Sequence, residues 1–170
     1  SSAASDVYKR QLKGFFRYAS GQDRLLVLID YTKPSTEKRF YILDLLQKKL
    51  LLSTYVAHGR GSGDNYAVAF SNRPGSYQSS LGFFRTGDTY MGKNGYSLFL
   101  DGLEKGINDK ARERAIVVHG ANYADPAVLK GQQRLGRSLG CPALPPDISK
   151  QVIDTIKGGV LLYIYGLNKA

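Results

Sequence analysis

Residues 24–31, Arg24-Leu25-Leu26-Val27-Leu28-Ile29-Asp30-Tyr31 or "RLLVLIDY", form a continuous apolar run that stops at the turn-forming "TKPSTEK". A run of that length, closed by a proline-containing turn, predicts a buried β-strand. The same reading extends outward. "RFYILDL" (39–45) and "LLLSTYVAH" (50–58) read as a hairpin across "LQKK", a segment whose apolar spacing also scores as a helix. "NYAVAFS" (65–71), "LGFFRT" (81–86), "GYSLFLDGL" (95–103), "RAIVVHG" (114–120) and "GVLLYIYG" (159–166) read as further strands, separated by loops rich in glycine, serine and asparagine.

Two segments carry helical signals. In residues 6–20, Tyr8, Leu12, Phe15, Phe16 and Ala19 make one apolar stripe, with Asp6 placed to cap the first turn and Gly21 to end the last. In 147–157, Ile148, Val152 and Ile156 recur every fourth residue. Asp147 stands at the cap after two prolines, and Gly158-Gly159 closes the segment. A shorter helical turn is expected at "DPAVLKG" (125–131). With no alternation of strand and helix and no internal repeat, the chain is expected to be mainly β, a sandwich or barrel with a few packed helices. Its 170 residues suit one domain, residues 21–170, with the helix of residues 1–20 packed on it.

Charge and composition narrow the function classes. Lys and Arg number 24 against 14 Asp and Glu, a net charge of +10, which favours polyanionic partners such as nucleic acid, anionic membrane or acidic envelope polymers. The charges are dispersed, however, as on a solvated basic surface, and a nucleic-acid reading rests on charge alone. No apolar run is long enough to span a bilayer. The opening "SSAASD" is small and polar, which fits a processed or trimmed secreted chain. One cysteine and two histidines show no metal-ligand spacing, so no metal is expected.

The residues able to do chemistry are few. "HGRGSG" (58–63) lacks the lysine and the following helix of a phosphate loop and reads as a flexible turn after a strand, with His58 structural. "AIVVHG" sets His119 at the end of an apolar strand, where Gly120 lets the chain turn. A histidine so held is rigid at its backbone and open at its tip, as a general base must be. "RSLGCP" (137–142) places the single cysteine between a glycine and a proline, outside regular structure. Gly140 permits a sharp turn, so the N–H groups of Gly140 and Cys141 can converge as an oxyanion hole. An inert, packed cysteine is the alternative.

"VVHG" followed by "RSLGCP" resembles the signature of the YkuD-type L,D-transpeptidases, and is closest to the divergent branch called the murein L,D-transpeptidase catalytic domain family. "STYVAHGRGSG", "FSNRPGSYQSSLGFFRTGDTYMGKNGYSLFLDGLEKGIND" and "RAIVVHGANY" extend the likeness over residues 20–166. The resemblance implies an L,D-transpeptidase-like β-sandwich that exchanges peptide bonds in peptidoglycan stem peptides without a cofactor. Cys141 would be the nucleophile and His119 the base, oriented by a backbone carbonyl near Gly120. Ser138, Leu139 and Gly140 would form the oxyanion loop, with Leu139 standing where the family usually has histidine. Tyr90, Asn94, Arg134 and Arg137 are the candidate substrate contacts, the arginines because a guanidinium suits stem carboxylates. The implied location is the periplasm or another extracytoplasmic space. The implied reaction is transfer to an amine, with hydrolysis by water or a non-catalytic wall-binding module as the competing readings.

Overall fold

The computed structural model describes residues 13–169. The strands are β1 (Leu25–Asp30), β2 (Phe40–Asp44), β3 (Lys49–Thr54), β4 (Gly82–Gly92), β5 (Gly95–Gly102), β6 (Val117–Gly120), β7 (Ala143–Leu144) and β8 (Leu161–Tyr165). All eight belong to one sheet, ordered β3-β2-β1-β8-β4-β5-β6-β7. The mainly-β class expected from the sequence is therefore the observed one.

"RLLVLIDY" earns its place near the middle of that order. β1 pairs antiparallel with β2 and parallel with β8, and Val27 and Ile29 are fully buried. Side chains two apart along a strand share a face, so Val27 and Ile29 join Phe40, Ile42, Phe84, Leu98, Leu100, Val118, Leu144, Leu162 and Ile164 in the main core. Helix α2 (Pro146–Ile156) adds Val152, Ile153 and Ile156 to it. Its cap differs from expectation. Pro145 occupies the cap position without a side-chain bond, and Asp147 lies within the first turn, where a carboxylate still complements the helix dipole.

The expected helix of residues 6–20 lies partly outside the described residues. Its described part, α1, is helical over residues 13–18. Of the predicted stripe, Phe15 and Ala19 are half-buried, but Phe16 is 76% exposed and does not supply the close contact with the domain. Instead a Cβ added at Gly14 would lie 2.3 Å from the Phe83 ring, and Tyr18 packs on Phe83 with ring centroids 5.3 Å apart. The absence of a side chain at Gly14 is what lets the helix sit that close.

Three further differences bear on the site. "NYAVAFS" is not a strand. The Val68 and Ala69 N–H groups both donate to Ser62 O and that of Phe70 donates to Asn168 Oδ1, so no ladder forms. The "RAIVVHG" strand starts late, at Val117, because Ala115 takes a left-handed conformation with φ 55°. Finally, the chain beyond β3 reaches the opposite edge of the sheet. Ala57 bridges Ala143 of β7, and Gly59 bridges Ser138. The sheet thus curls on itself, and "RSLGCP" lies along the seam.

Candidate active site at the sheet seam

On β6, Val118 faces the main core, so Val117 and His119 face the other way. On that second face Ala143 pairs with His119 in parallel register and packs with Ala57 and Ala124, with Tyr123 against them. The Cys141 thiol belongs to the same region. It accepts from the Val117 N–H and donates to Ala115 O, both at 3.4 Å. The His119 ring stands one two-residue step beyond Val117, about 7 Å along the strand. The Cys141 thiol thus docks on the backbone at the start of β6, two residues before His119, and both residues are buried, His119 at 3% and Cys141 at 8% exposure.

His119 has a defined tautomer. Its Nδ1 lies 2.9 Å from Gly120 O. A carbonyl oxygen only accepts, so Nδ1 carries the proton and Nε2 presents a lone pair. Burial holds the imidazole below its ordinary pKa, partly offset by the Gly120 bond. Burial also pushes the Cys141 thiol up, opposed by the Val117 N–H and by Arg114. Near neutral pH the pair is thus an uncharged thiol and an uncharged base. To hand its proton to Nε2 the thiol must turn away from Ala115 O, a rotation about its Cα–Cβ bond.

The "RSLGCP" loop is held from several sides. Ser138 is buried, and its hydroxyl accepts from the Gly140 N–H (3.1 Å) while donating to Cys141 O (2.6 Å). The Gly140 N–H is therefore engaged within the loop, and Cys141 itself supplies the backbone donor adjacent to the thiol. Gly140 has φ 128°, a conformation that favours glycine. Leu139 is 53% exposed and takes no part in these bonds. The Gly120 position is equally confined, because an added Cβ would lie 2.4 Å from Ser149 Oγ of α2.

"HGRGSG", expected as a flexible turn, is a packed wedge. A Cβ at Gly59 would meet Tyr77 O at 2.4 Å and Gly140 Cα at 2.9 Å, and one at Gly61 would meet Ser76 O at 2.4 Å. His58, read as structural, is 1% exposed. Its Nδ1 lies 2.8 Å from Arg39 Nη2, and its Nε2 lies 3.2 Å from Gly63 O. Since guanidinium only donates, Nδ1 is the acceptor and Nε2–H the donor. Burial first, and Arg39 second, lower the His58 pKa to about 4. It is a neutral strut.

A cleft of about 450 Å³ opens onto His119. Its walls include Lys93, Asn94, Tyr96, Asn122, Tyr123 and Ser149. Of the expected substrate contacts, Asn94 is on this wall and Tyr90, Arg134 and Arg137 are not. Tyr90 stacks on Phe99 at 4.4 Å. Arg137 Nη1 donates to Asp64 Oδ1 at 3.1 Å and to Gly63 O at 3.2 Å, while Arg134 Nε lies 3.8 Å from the same carboxylate. Both guanidinium groups thus lie against the Gly63-Asp64 turn. The sequence reading missed Lys93 and Tyr123. A signal for Tyr123 was present in its position four residues after His119. Lys93 sits at a hairpin tip, where sequence carries little information about which groove it borders.

Among the described residues no helix is long and apolar enough to cross a membrane. The chain resembles several solved structures. An L,D-transpeptidase from Mycobacterium smegmatis is 13% identical with a TM-score of 0.51, over 85% of this chain and 59% of that one. The helical cell shape determining protein Pgp2 from Campylobacter jejuni is 16% identical with a TM-score of 0.56, over 88% and 50% respectively. An L,D-transpeptidase (Yku) from Stackebrandtia nassauensis is 15% identical with a TM-score of 0.51, over 91% and 62%. The likeness at these identities is one of fold, and this chain spans less than two thirds of each of them. No curated protein matches. A family model described as L,D-transpeptidase catalytic domain matches residues 1–165. The chain belongs to the L,D-transpeptidase catalytic domain family.

Proposed function

We propose that this chain is a cysteine acyltransferase acting on peptidoglycan stem peptides. The carrying observation is the His119–Gly120 hydrogen bond, which leaves Nε2 as a free base on an open cleft, one strand step from the place where the Cys141 thiol docks. In the first step Cys141 Sγ bonds to the carbonyl carbon of the third stem residue, and its proton passes to His119 Nε2. The tetrahedral oxyanion is met by the Cys141 N–H. Collapse breaks the C–N bond, the proton moves from Nε2 to the departing amine of D-alanine, and a thioester remains. In the second step an acceptor amine, such as that of a diaminopimelate side chain, gives its proton to Nε2 and displaces the thiolate, which is reprotonated. The free energy of the cleaved amide is retained in the thioester, so the exchange needs neither metal nor nucleotide.

Lys93 and Asn94 are placed to meet stem carboxylates and amides from the cleft wall. Such a substrate puts the site of action outside the cytoplasmic membrane. The contacts of Gly14 and Tyr18 with Phe83 support treating the described part of residues 1–20 as packed on a single catalytic domain. Water as acceptor would make the same site an L,D-carboxypeptidase. Incubation with a disaccharide-tetrapeptide, read by mass spectrometry, separates the outcomes. Crosslinked dimer with D-alanine release is the expected result. Tripeptide alone would make the chain a carboxypeptidase, and an untouched substrate bound by the folded chain would make it a wall-binding module.

A further inference from the structure

Arg114 directly precedes the strained Ala115, whose carbonyl receives the Cys141 thiol. Its guanidinium makes four hydrogen bonds, all to the segment of residues 71–80. Nη1 donates to Ser71 O at 2.8 Å and to Ser80 Oγ at 2.6 Å. Nη2 donates to Gln78 O at 2.8 Å and to Ser76 Oγ at 3.2 Å. Every acceptor is neutral, and among the described residues no carboxylate pairs with this arginine. The group also borders the nucleophile loop. A Cβ added at Gly140 would lie 3.5 Å from Arg114 Nη2 and 3.0 Å from Gln78 O. A partly buried guanidinium held without a counter-ion costs desolvation that hydrogen bonds to carbonyls only partly offset. Where a negative charge develops nearby, that cation becomes an asset.

We propose that Arg114 is a positioning residue for acyl transfer: it clamps the 71–80 segment against the Cys141 loop and holds an unneutralised positive charge where the thiolate forms. The inference rests on Cys141 as nucleophile. The other titratable groups around the thiol do not compete. Tyr31, after β1, and Tyr123, after β6, are both pushed up to about 12 by burial and stay neutral. His119 on β6, held below its ordinary value by burial, is neutral above about pH 6.5. Arg114 is thus the formal charge that acts on the thiol, and the mutual influence is felt in both groups.

The test is the pH dependence of Cys141 alkylation by iodoacetamide, which reads the thiol whether or not the chain turns over stem peptides. Arg114→Met is expected to move the alkylation midpoint upward by about one pH unit, slowing reaction at pH 7.5 about tenfold. Arg114→Lys, which keeps the charge, is expected to restore most of that rate. Ser80→Asp, which sets a carboxylate against Nη1 while leaving the arginine in place, is expected to shift the midpoint upward as well, and serves if Arg114→Met does not fold. An unmoved midpoint in folded Arg114→Met or in folded Ser80→Asp overturns the proposal. So does an Arg114→Lys midpoint equal to that of Arg114→Met, since the role would then be purely structural. An intact Arg114 effect with no acyl transfer in the unmutated chain would instead count against the peptidoglycan reading alone.

Discussion

In the proposed mechanism the chemistry turns on His119, and the environment of this residue makes a signed statement about pH. Burial depresses its pKa below 6.5. The unprotonated, reactive form therefore persists as the pH falls through 6.5, and is lost only through the lower, folded value. The rate of Cys141 acylation should accordingly hold constant from pH 7.5 to 6.5 and decline on the acid side of that range. Stopped-flow acylation rates between pH 4.5 and 8 check this, and an acid midpoint above 6.5 would contradict it. Both proposed residues stand out in the sequence because each has a local signal. His119 ends an apolar run at a glycine, and Cys141 sits between a glycine and a proline, although the fold buries it to 8% exposure. Arg114 was not legible, because its role comes from acceptors 34 to 43 positions away in sequence.

At the scale of elements, the site is a contact between three loops rather than a feature of one. Gly59 is the point where they meet, against Tyr77 O and Gly140 Cα. Gly59→Ala should force the 58–63 wedge away from the nucleophile loop, cost about 1–3 kcal/mol as overpacking does, and slow alkylation of Cys141 by at least several-fold. Urea unfolding and thiol alkylation measured together check this, and unchanged values in both would show that the loops yield freely. The paired strands could be read from sequence because a buried ladder writes its pattern locally, as in β1, β2, β5 and β8. The 65–71 segment has the same apolar look, but its N–H groups are spent on Ser62, Ser79 and Asn168, pairings that the pattern of apolar residues does not encode. β7 is two residues long, Ala143–Leu144, too short to leave any periodicity. The glycines of "HGRGSG" were visible, yet glycine serves both flexible turns and close backbone approach, and only the fold distinguishes them.

Across the whole molecule, curling the sheet brings the chain after β3 onto β7, and the buried pair Arg39–His58 locks that junction. Arg39 is fully buried, donates to Val56 O and Lys33 O, and lies over the Tyr31 ring. Next to it His58 must stay neutral, with its pKa lowered to about 4. The unfolded chain takes up that proton near pH 6.5, whereas the folded chain does not until about pH 4. Stability from this group is complete above pH 6.5 and is lost as the pH falls toward 4, by about 2–3 kcal/mol at pH 4.5. Urea midpoints at pH 7.5 and 4.5 should show that loss in the unmutated chain and a flatter dependence in His58→Asn. Equal pH dependence in the two would remove His58 from the account.

The central claim, that Cys141 with His119 forms an acyl-enzyme, is tested most directly by intact-mass spectrometry after incubation with a carbapenem. The unmutated chain should gain the mass of one carbapenem. Cys141→Ala should gain none, and His119→Ala should react about a hundredfold more slowly, as loss of a general base allows. A folded chain that gains no mass, or an adduct that survives in Cys141→Ala, would contradict the account.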